Sequence, residues 1–210
     1  MHANKKGLGT ALMGAFMALA ALIVPVQALD ITNVAFVQTQ GGNTSIPVGH
    51  AEFCKARPAE CGRNADVVTA VALTEGLWQQ LLTVNAAFNE QIVPVTDQDL
   101  YQVAEFWTYP NGYGDCEDYA LAKRRALIEA GWPASTLLMA VVKQQSGEGH
   151  AVLMVRTDRG DLVLDNQVGS IDLWSQTSYK FIKRQSQADA GQWVDMIDTR
   201  DTVTATAAIN

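Results

Sequence analysis

The stretch Gly-Asp-Cys-Glu-Asp-Tyr-Ala at residues 114–120 decides the fold, because it places a cysteine where a helix is predicted to begin. The spacing of the apolar residues predicts a helix over 116–130, which ends at Gly131 with Pro133 just beyond. A structural cysteine usually has apolar neighbours and is inert, whereas a reactive cysteine is partly exposed at a helix start. Cys116 is therefore a candidate nucleophile.

An antiparallel sheet is predicted after this helix. Strands are expected over 136–143, 150–156 and 161–165, with turn residues between them, and a fourth strand over 179–183.

The chain before residue 114 carries the longest helical pattern, over 64–88, and residues 29–50 and 93–114 are predicted to be an extended lead-in and a loop region. Helices followed by strands indicate an α+β fold, with the nucleophile at a helix N-terminus that packs on the sheet. In the helix over 116–130, the basic residues 123–125 are expected to face solvent.

A histidine and an aspartate in neighbouring predicted strands complete a candidate triad. His150 begins one strand and Asp165 ends the next. A two-residue turn at 158–159 places them diagonally on one face, roughly 7–8 Å apart, whereas a three-residue turn would place Asp165 on the opposite face. Cys, His and Asp in this order are typical of a nucleophile, its base and the residue that orients the base. Taken separately, His150 is better explained as a hydrogen-bonded core histidine and Asp165 as the end of a strand, and it is their combination with Cys116 that favours the catalytic account.

Three carboxylates flank the candidate nucleophile: Asp115, Glu117 and Asp118. A helix N-terminus favours the thiolate of Cys116, but negative charge beside a thiol raises its pKa. A bound cation would offset the carboxylates. Asp115 has an alternative role as the N-cap of the helix.

The first 28 residues have the pattern of a signal peptide. A short basic start precedes a nearly continuous apolar run over 8–24, which Pro25 interrupts before small residues suited to cleavage. An uncleaved N-terminal anchor is the alternative. We expect one domain over 29–198, a flexible tail over 199–210 and no membrane insertion once the signal is removed.

Removing residues 1–28 leaves 182 residues and changes the formal net charge from −7 to −9, because both lysines of this segment leave and no acid does. An acidic protein is a poor partner for nucleic acid and for anionic membranes. The composition suits an exported, periplasmic protein.

The two other cysteines, Cys54 and Cys61, lie seven residues apart in a polar stretch and are predicted to form a disulfide in an oxidising compartment. A zinc site that adds His50, or two free thiols, are the alternatives. The disulfide leaves Cys116 as an unpaired cysteine, and a free thiol in an oxidising compartment calls for a functional explanation.

With these residues the chain resembles the bacterial transglutaminase-like cysteine peptidases, a family that includes periplasmic proteases of the LapG type, which release large adhesins from the cell surface. The resemblance covers residues 53–183. Its matching pieces are Val84-Asn85, Phe88-Asn89, Trp107, Gly114 to Tyr119, Lys123, His150 to Leu153 and Leu164-Asp165-Asn166.

The resemblance implies a papain-like fold in which Cys116 is the nucleophile, His150 the base and Asp165 the orienting residue. It implies a Ca²⁺ ion held by Asp115 and Glu117, with Asp118 as a secondary candidate. It also implies a protein substrate cut between small residues, among which a surface adhesin is one candidate, and a membrane-bound regulator. The function so predicted is that of a periplasmic, calcium-dependent cysteine endopeptidase.

Two other functions fit the same residues. Transglutaminase-like sites share the triad, so an acyltransferase or amidase is the first alternative. A calcium-dependent binding module without catalysis is the second.

Overall fold

The computed structural model of the protein describes Met1 and residues 35–200. The predicted signal peptide apart from Met1, and the predicted tail apart from residues 199–200, lie outside the described residues. Within the described part, no helix is both long enough and apolar enough to cross a membrane.

Four helices and nine strands are described. In chain order they are β1 (Gln38–Thr39), α1 (Val48–Ala56), α2 (Glu75–Gln91), β2 (Val93–Pro94), α3 (Asp97–Tyr101), β3 (Tyr113–Gly114), α4 (Cys116–Glu129), β4 (Leu137–Lys143), β5 (Gly149–Thr157), β6 (Gly160–Leu164), β7 (Asp172–Leu173), β8 (Lys180–Gln185) and β9 (Trp193–Ile197).

Seven of these strands form one antiparallel sheet in the order β1-β9-β8-β4-β5-β6-β7. The short strands β2 and β3 pair in parallel and lie apart from it. Helix α4 packs against β4 and β5 in the middle of the sheet and against α2 on its other side. The predicted α+β fold, with helices ahead of an antiparallel sheet, is confirmed.

Helix α4 agrees with its predicted bounds and is the most buried of the helices. Its apolar side chains Leu121 and Leu127 are 2% and 0% exposed and lie in the main core. Gly131 ends the helix with a φ of 96°, a conformation that glycine adopts without strain. The expectation that its basic residues face solvent is wrong for Lys123 and Arg124, which are 0% and 5% exposed, because buried oxygen acceptors surround them.

The first helix of the predicted pair begins later than expected. Residues 64–74 are not helical, and α2 begins only at Glu75, where Thr74 Oγ1 accepts a hydrogen bond from the Leu77 N–H at 3.3 Å. Val71 N–H instead bonds the carbonyl of Arg156 at 3.0 Å, so this segment follows the end of β5. Helix α1 replaces part of the predicted extended lead-in, and β9 was not predicted.

The turn between β5 and β6 has the two-residue form that the candidate triad requires. Thr157 pairs with Gly160 and Leu153 pairs with Leu164, as the register predicts. Gly160 has a φ of 117°, and a Cβ at this position would lie 2.4 Å from the carbonyl oxygen of Ala35. Only glycine fits at position 160. The two-residue turn therefore sets the register of β6 and places the side chain of Asp165, which follows this strand, on the same face of the sheet as His150.

Candidate active site

Three elements bring the predicted triad residues together. Cys116 is the first residue of α4, His150 lies near the start of β5, and Asp165 directly follows β6. His150 Nε2 lies 2.9 Å from Asp165 Oδ1. The backbone N–H of Ala151 donates to Cys116 Sγ at 3.4 Å, which fixes the thiol beside the residue next to His150.

The Cys116 thiol is mostly buried and donates to Glu117 Oε2 at 3.2 Å. Within the described ranges, no hydrogen bond joins it to His150. Burial raises the pKa of the Cys116 thiol well above its usual value, and the adjacent carboxyl groups of Glu117 and Asp115 raise it further. With its carboxylates alone, the site therefore favours the neutral thiol.

His150 presents one ring nitrogen to Asp165 and leaves the other for proton transfer. Because Nε2 bonds Asp165, Nδ1 is the nitrogen that can accept the thiol proton. The Gln167 side-chain amide lies 3.4 Å from this Nδ1.

The Asp165 carboxylate is 3% exposed and bonded at both oxygens. Oδ1 accepts from His150 and from the Gln167 N–H at 3.0 Å, and Oδ2 accepts from the Tyr179 hydroxyl. Burial by itself would raise the pKa of Asp165, but the hydrogen bonds from His150 and Tyr179 outweigh it and lower the pKa. These hydrogen bonds favour the anionic form of Asp165 beside His150 Nε2.

Polar motif residues without a role predicted from sequence hold the backbone around Asp165. Its carbonyl oxygen accepts from Asn89 Nδ2 at 2.8 Å and from Lys123 Nζ at 3.0 Å. Lys123 also donates to Asn85 Oδ1 at 2.8 Å, and Asn85 Nδ2 donates to the Gly169 carbonyl at 3.1 Å. Helices α2 and α4 together therefore fix the loop that carries Asp165.

A group of carboxyl groups lies directly beside the thiol. Oxygens of Asp97, Asp115 and Glu117 all lie within 4.8 Å of one another. Burial and then the neighbouring Asp115 raise the pKa of Glu117 to about 9. The Asp115 side chain makes no capping hydrogen bond to α4; its Oδ2 instead accepts the Asp97 N–H at 3.1 Å.

Asp97 was not predicted and Asp118 is not part of this group. Asp118 Oδ1 accepts the Thr108 N–H at 2.8 Å, and burial raises the pKa of Asp118 to about 7. A Cβ on Gly114 would lie 2.7 Å from Asp118 Oδ2, so the motif glycine makes room for this carboxyl group. Thr96, which accepts from the Asp99 N–H as an N-cap, marks α3 in the sequence and is the signal that could have placed Asp97 on a helix start.

A cleft of about 390 Å³ opens over the thiol. One wall is the start of α1 with Pro47 and Val48. The other lining residues are Glu105, Trp107, Cys116, Glu117, Val141, Gly149, His150 and Ala151.

The candidate cysteine pair supports this wall. Cys54 and Cys61 are joined in a disulfide, and His50 lies against both sulfurs at 3.6–3.9 Å. His50 Nδ1 accepts from Trp193 Nε1 at 3.0 Å, and burial lowers the pKa of His50 to about 4. With the sulfurs bonded to each other, this geometry is that of a packed core histidine rather than of the alternative zinc site.

The fold and the site together define a thiol-dependent enzyme scaffold of the transglutaminase-like type. The family model for the bacterial transglutaminase-like cysteine proteinases matches residues 40–201, and the chain belongs to this family. No curated protein shows a significant match.

Solved structures of LapG from Legionella pneumophila are similar to this chain. The calcium-bound form has 27% identity and a TM-score of 0.46, and the match covers 51% of this chain and 64% of that one. A second LapG structure has 26% identity and a TM-score of 0.47, with coverages of 56% and 68%. The EGTA-treated form has 24% identity and a TM-score of 0.48, with coverages of 60% and 69%. The chain thus spans about two thirds of the length of these LapG chains.

Proposed function

We propose that the protein is a cysteine endopeptidase in which Cys116 is the nucleophile, His150 the general base and Asp165 the orienting residue. One observation carries the proposal in a chain of this family: Cys116, at a helix N-terminus, and His150 line the same cleft, and His150 is bonded to the buried Asp165 at 2.9 Å.

The reaction follows from which atoms are available. His150 Nδ1 takes the proton of Cys116, and the thiolate attacks the peptide carbonyl carbon to form a tetrahedral oxyanion. The backbone N–H of Cys116, at the positive end of α4, is suited to donate to that oxyanion. His150 returns the proton to the departing amine, which leaves an acyl-enzyme. Water, deprotonated by His150, then releases the acid and regenerates the thiol.

A calcium ion is proposed beside this nucleophile, held by Asp115, Glu117 and Asp97. Oxygen-rich sites of several carboxylates suit Ca²⁺, and among the described residues Asp115 Oδ1 is buried without a hydrogen-bond partner. Within the part of the chain that the structure describes, Asp118 Oδ2 is also buried without a hydrogen-bond partner, and Asp118 is the secondary candidate ligand. When bound, the ion supplies positive charge that offsets these carboxylates and favours the Cys116 thiolate.

The proposed location is the periplasm and the proposed substrate is a protein. Export is supported by the signal-like pattern of residues 1–28 and by the Cys54–Cys61 disulfide. Cleavage between small residues, a surface adhesin as substrate and a membrane-bound regulator rest on the family resemblance alone.

The test is covalent labelling of the purified protein by a di-alanyl chloromethyl ketone, with the modified residue located by mass spectrometry. We expect labelling at Cys116 in calcium, lost in Cys116→Ala and reduced on the order of 100-fold or more in His150→Ala and Asp165→Asn. His50→Gln is the matched control, since it removes a buried histidine outside the site. Equal labelling of wild type and His150→Ala would mean that Cys116 is an ordinary thiol and would refute the proposal.

A further inference from the structure

Tyr179, which precedes β8, contacts both members of the buried histidine–aspartate pair. Its hydroxyl donates to Asp165 Oδ2, and its ring centroid lies 5.4 Å from that of His150 at an interplanar angle of 49°. The side chain is 7% exposed. It belongs to none of the motif pieces quoted from the sequence.

The two oxygens of Asp165 are held differently. Oδ1 is shared between His150 and the backbone N–H of Gln167, and so has two donors. Among the described residues, the hydroxyl of Tyr179 is the one donor to Oδ2. Without that hydroxyl the carboxylate retains charge on Oδ2 but loses the contact that fixes its rotation.

A second cavity lies beside the contact between the Tyr179 hydroxyl and Asp165. It measures about 250 Å³ and shares no lining residue with the cleft that holds Cys116. Its lining is rich in hydroxyl, amide and carboxyl groups and consists of Val163, Asp165, Val168, Ser170, Asp172, Gln176, Thr177, Ser178 and Tyr179.

The hydroxyl, amide and carboxyl groups of this lining can bind water that enters the cavity from solvent. Water beside Asp165 Oδ2 would compete with a protein donor and weaken the alignment of the carboxylate with His150. The phenol of Tyr179 occupies that donor position, and its ring lies next to the imidazole of His150 in a tilted arrangement.

We infer that Tyr179 is a positioning residue that locks the rotation of Asp165, and through it His150, against water from the second cavity. The inference rests on the proposed function. Tyr179 acts through Asp165 and is not assigned contact with substrate.

Tyr179→Phe is the first test, because it retains the ring and removes only the donor. Inactivation by the di-alanyl chloromethyl ketone gives a maximal rate and a half-saturating concentration. We expect the maximal rate to fall on the order of 10- to 100-fold while the half-saturating concentration stays within about twofold, since a charge-assisted hydrogen bond is lost and the cleft is unchanged. Tyr109→Phe is the control: it removes the hydroxyl of a half-buried phenol that faces Glu60, away from the Asp165 loop, and should react like wild type.

Chemical rescue of Tyr179→Ala separates the donor from the ring. This variant opens space next to the 250 Å³ cavity, into which small aromatic molecules can enter. Added phenol should restore at least part of the lost rate, and toluene, of similar size without a hydroxyl, should not. Should Tyr179→Ala fail to fold, Tyr179→Phe carries the test alone.

The outcomes distinguish this inference from the proposed function. Wild type that does not react at Cys116 refutes the function. A reactive wild type with an equally reactive Tyr179→Phe, or rescue by toluene as complete as rescue by phenol, overturns only the role of Tyr179.

Discussion

Lys123 is a fully buried lysine whose amine bonds two neutral oxygen acceptors, Asn85 Oδ1 and the Asp165 carbonyl. Burial lowers its pKa from 10.5 to about 7, although the nearby Asp165 carboxylate acts in the opposite direction. At neutral pH the amine is therefore close to losing its proton. Burying the charged amine of Lys123, which holds the Asp165 loop, therefore lowers the free energy of unfolding by an amount that depends on pH.

The sign of that dependence follows from proton binding. Between pH 7 and 10.5 the folded chain has released the proton of Lys123 while the unfolded chain still holds it. The free energy of unfolding contributed by this residue therefore rises with pH across the window, by up to about 1.4 kcal/mol per pH unit. Below pH 7 both states are protonated and the contribution is flat.

Chemical unfolding of wild type and Lys123→Met from pH 6 to pH 10 measures this contribution as the difference between the two curves. The difference should change with pH only above about pH 7. Lys143→Met, which alters an exposed lysine at the end of β4, serves as the control. Parallel curves for wild type and Lys123→Met would show that the amine keeps an ordinary pKa.

At the scale of elements, α4 and the strands β4 to β6 follow from local patterns. Their apolar residues repeat with helical or strand spacing, and glycine marks their ends, as at Gly131 and Gly160. The start of α2 could not be predicted in this way. Val68 and Val71 have the spacing of one helical face, but their backbone N–H groups donate to Ser135 Oγ and to the Arg156 carbonyl at the end of β5. Hydrogen-bond partners this far away in the sequence cannot be recognised from the pattern of neighbouring residues.

Helix α1 was missed for a related reason. It is short and buries only Gly49, His50 and Phe53, so it lacks an apolar stripe. The reason for a glycine at position 49 becomes clear only from its contact with Trp107 in the structure. A Cβ on Gly49 would lie 2.2 Å from Trp107 Cδ1, which means that the helix backbone rests directly on the indole.

Gly49→Ala therefore tests how α1 supports the cleft. Alanine favours helices, but Trp107 is buried and cannot move away, so overpacking should dominate and lower the free energy of unfolding by about 1–3 kcal/mol. Because Val48 at the start of α1 and the preceding Pro47 line the cleft wall, the half-saturating concentration for the ketone should rise.

Gly76→Ala is the matched control in α2. A Cβ there meets only Thr74 Oγ1 at 4.0 Å, and the change should stabilise the protein by about 0.5–1 kcal/mol. If Gly49→Ala were as stable as wild type in denaturant titrations, the close packing of α1 on Trp107 would be wrong.

At the scale of the whole molecule, the fold gathers acidic residues that are distant in sequence. Asp97 on α3 reaches Asp115 and Glu117 at the start of α4, although it lies 18 positions before Asp115 in the sequence. The carboxylates next to Cys116 in the sequence indicate an acidic group at this position. That Asp97 joins the group could not be predicted, because it depends on how the loop between α3 and α4 folds back. Its carboxylate accepts the Phe106 N–H, which ties that loop to the group.

Like charges at this separation oppose folding, and a cation that binds only the folded chain offsets them. At a calcium concentration 100 times its dissociation constant, the gain in folding free energy would be about 2.7 kcal/mol. The melting temperature of wild type should therefore rise on addition of calcium and return to its starting value on addition of EGTA. This measurement does not depend on activity.

Asp97→Asn tests the composition of the site most directly. Asparagine retains one oxygen ligand and removes one negative charge, so the calcium affinity should fall while the calcium-free protein becomes no less stable, because repulsion within the group also falls. The calcium-dependent rise in melting temperature should accordingly be smaller than in wild type at the same calcium concentration. Asp99→Asn, an exposed aspartate two residues further along α3, should respond like wild type. An unchanged calcium response in Asp97→Asn would exclude Asp97 as a ligand, and a loss confined to variants of Asp115 and Glu117 would assign the ion to those two residues.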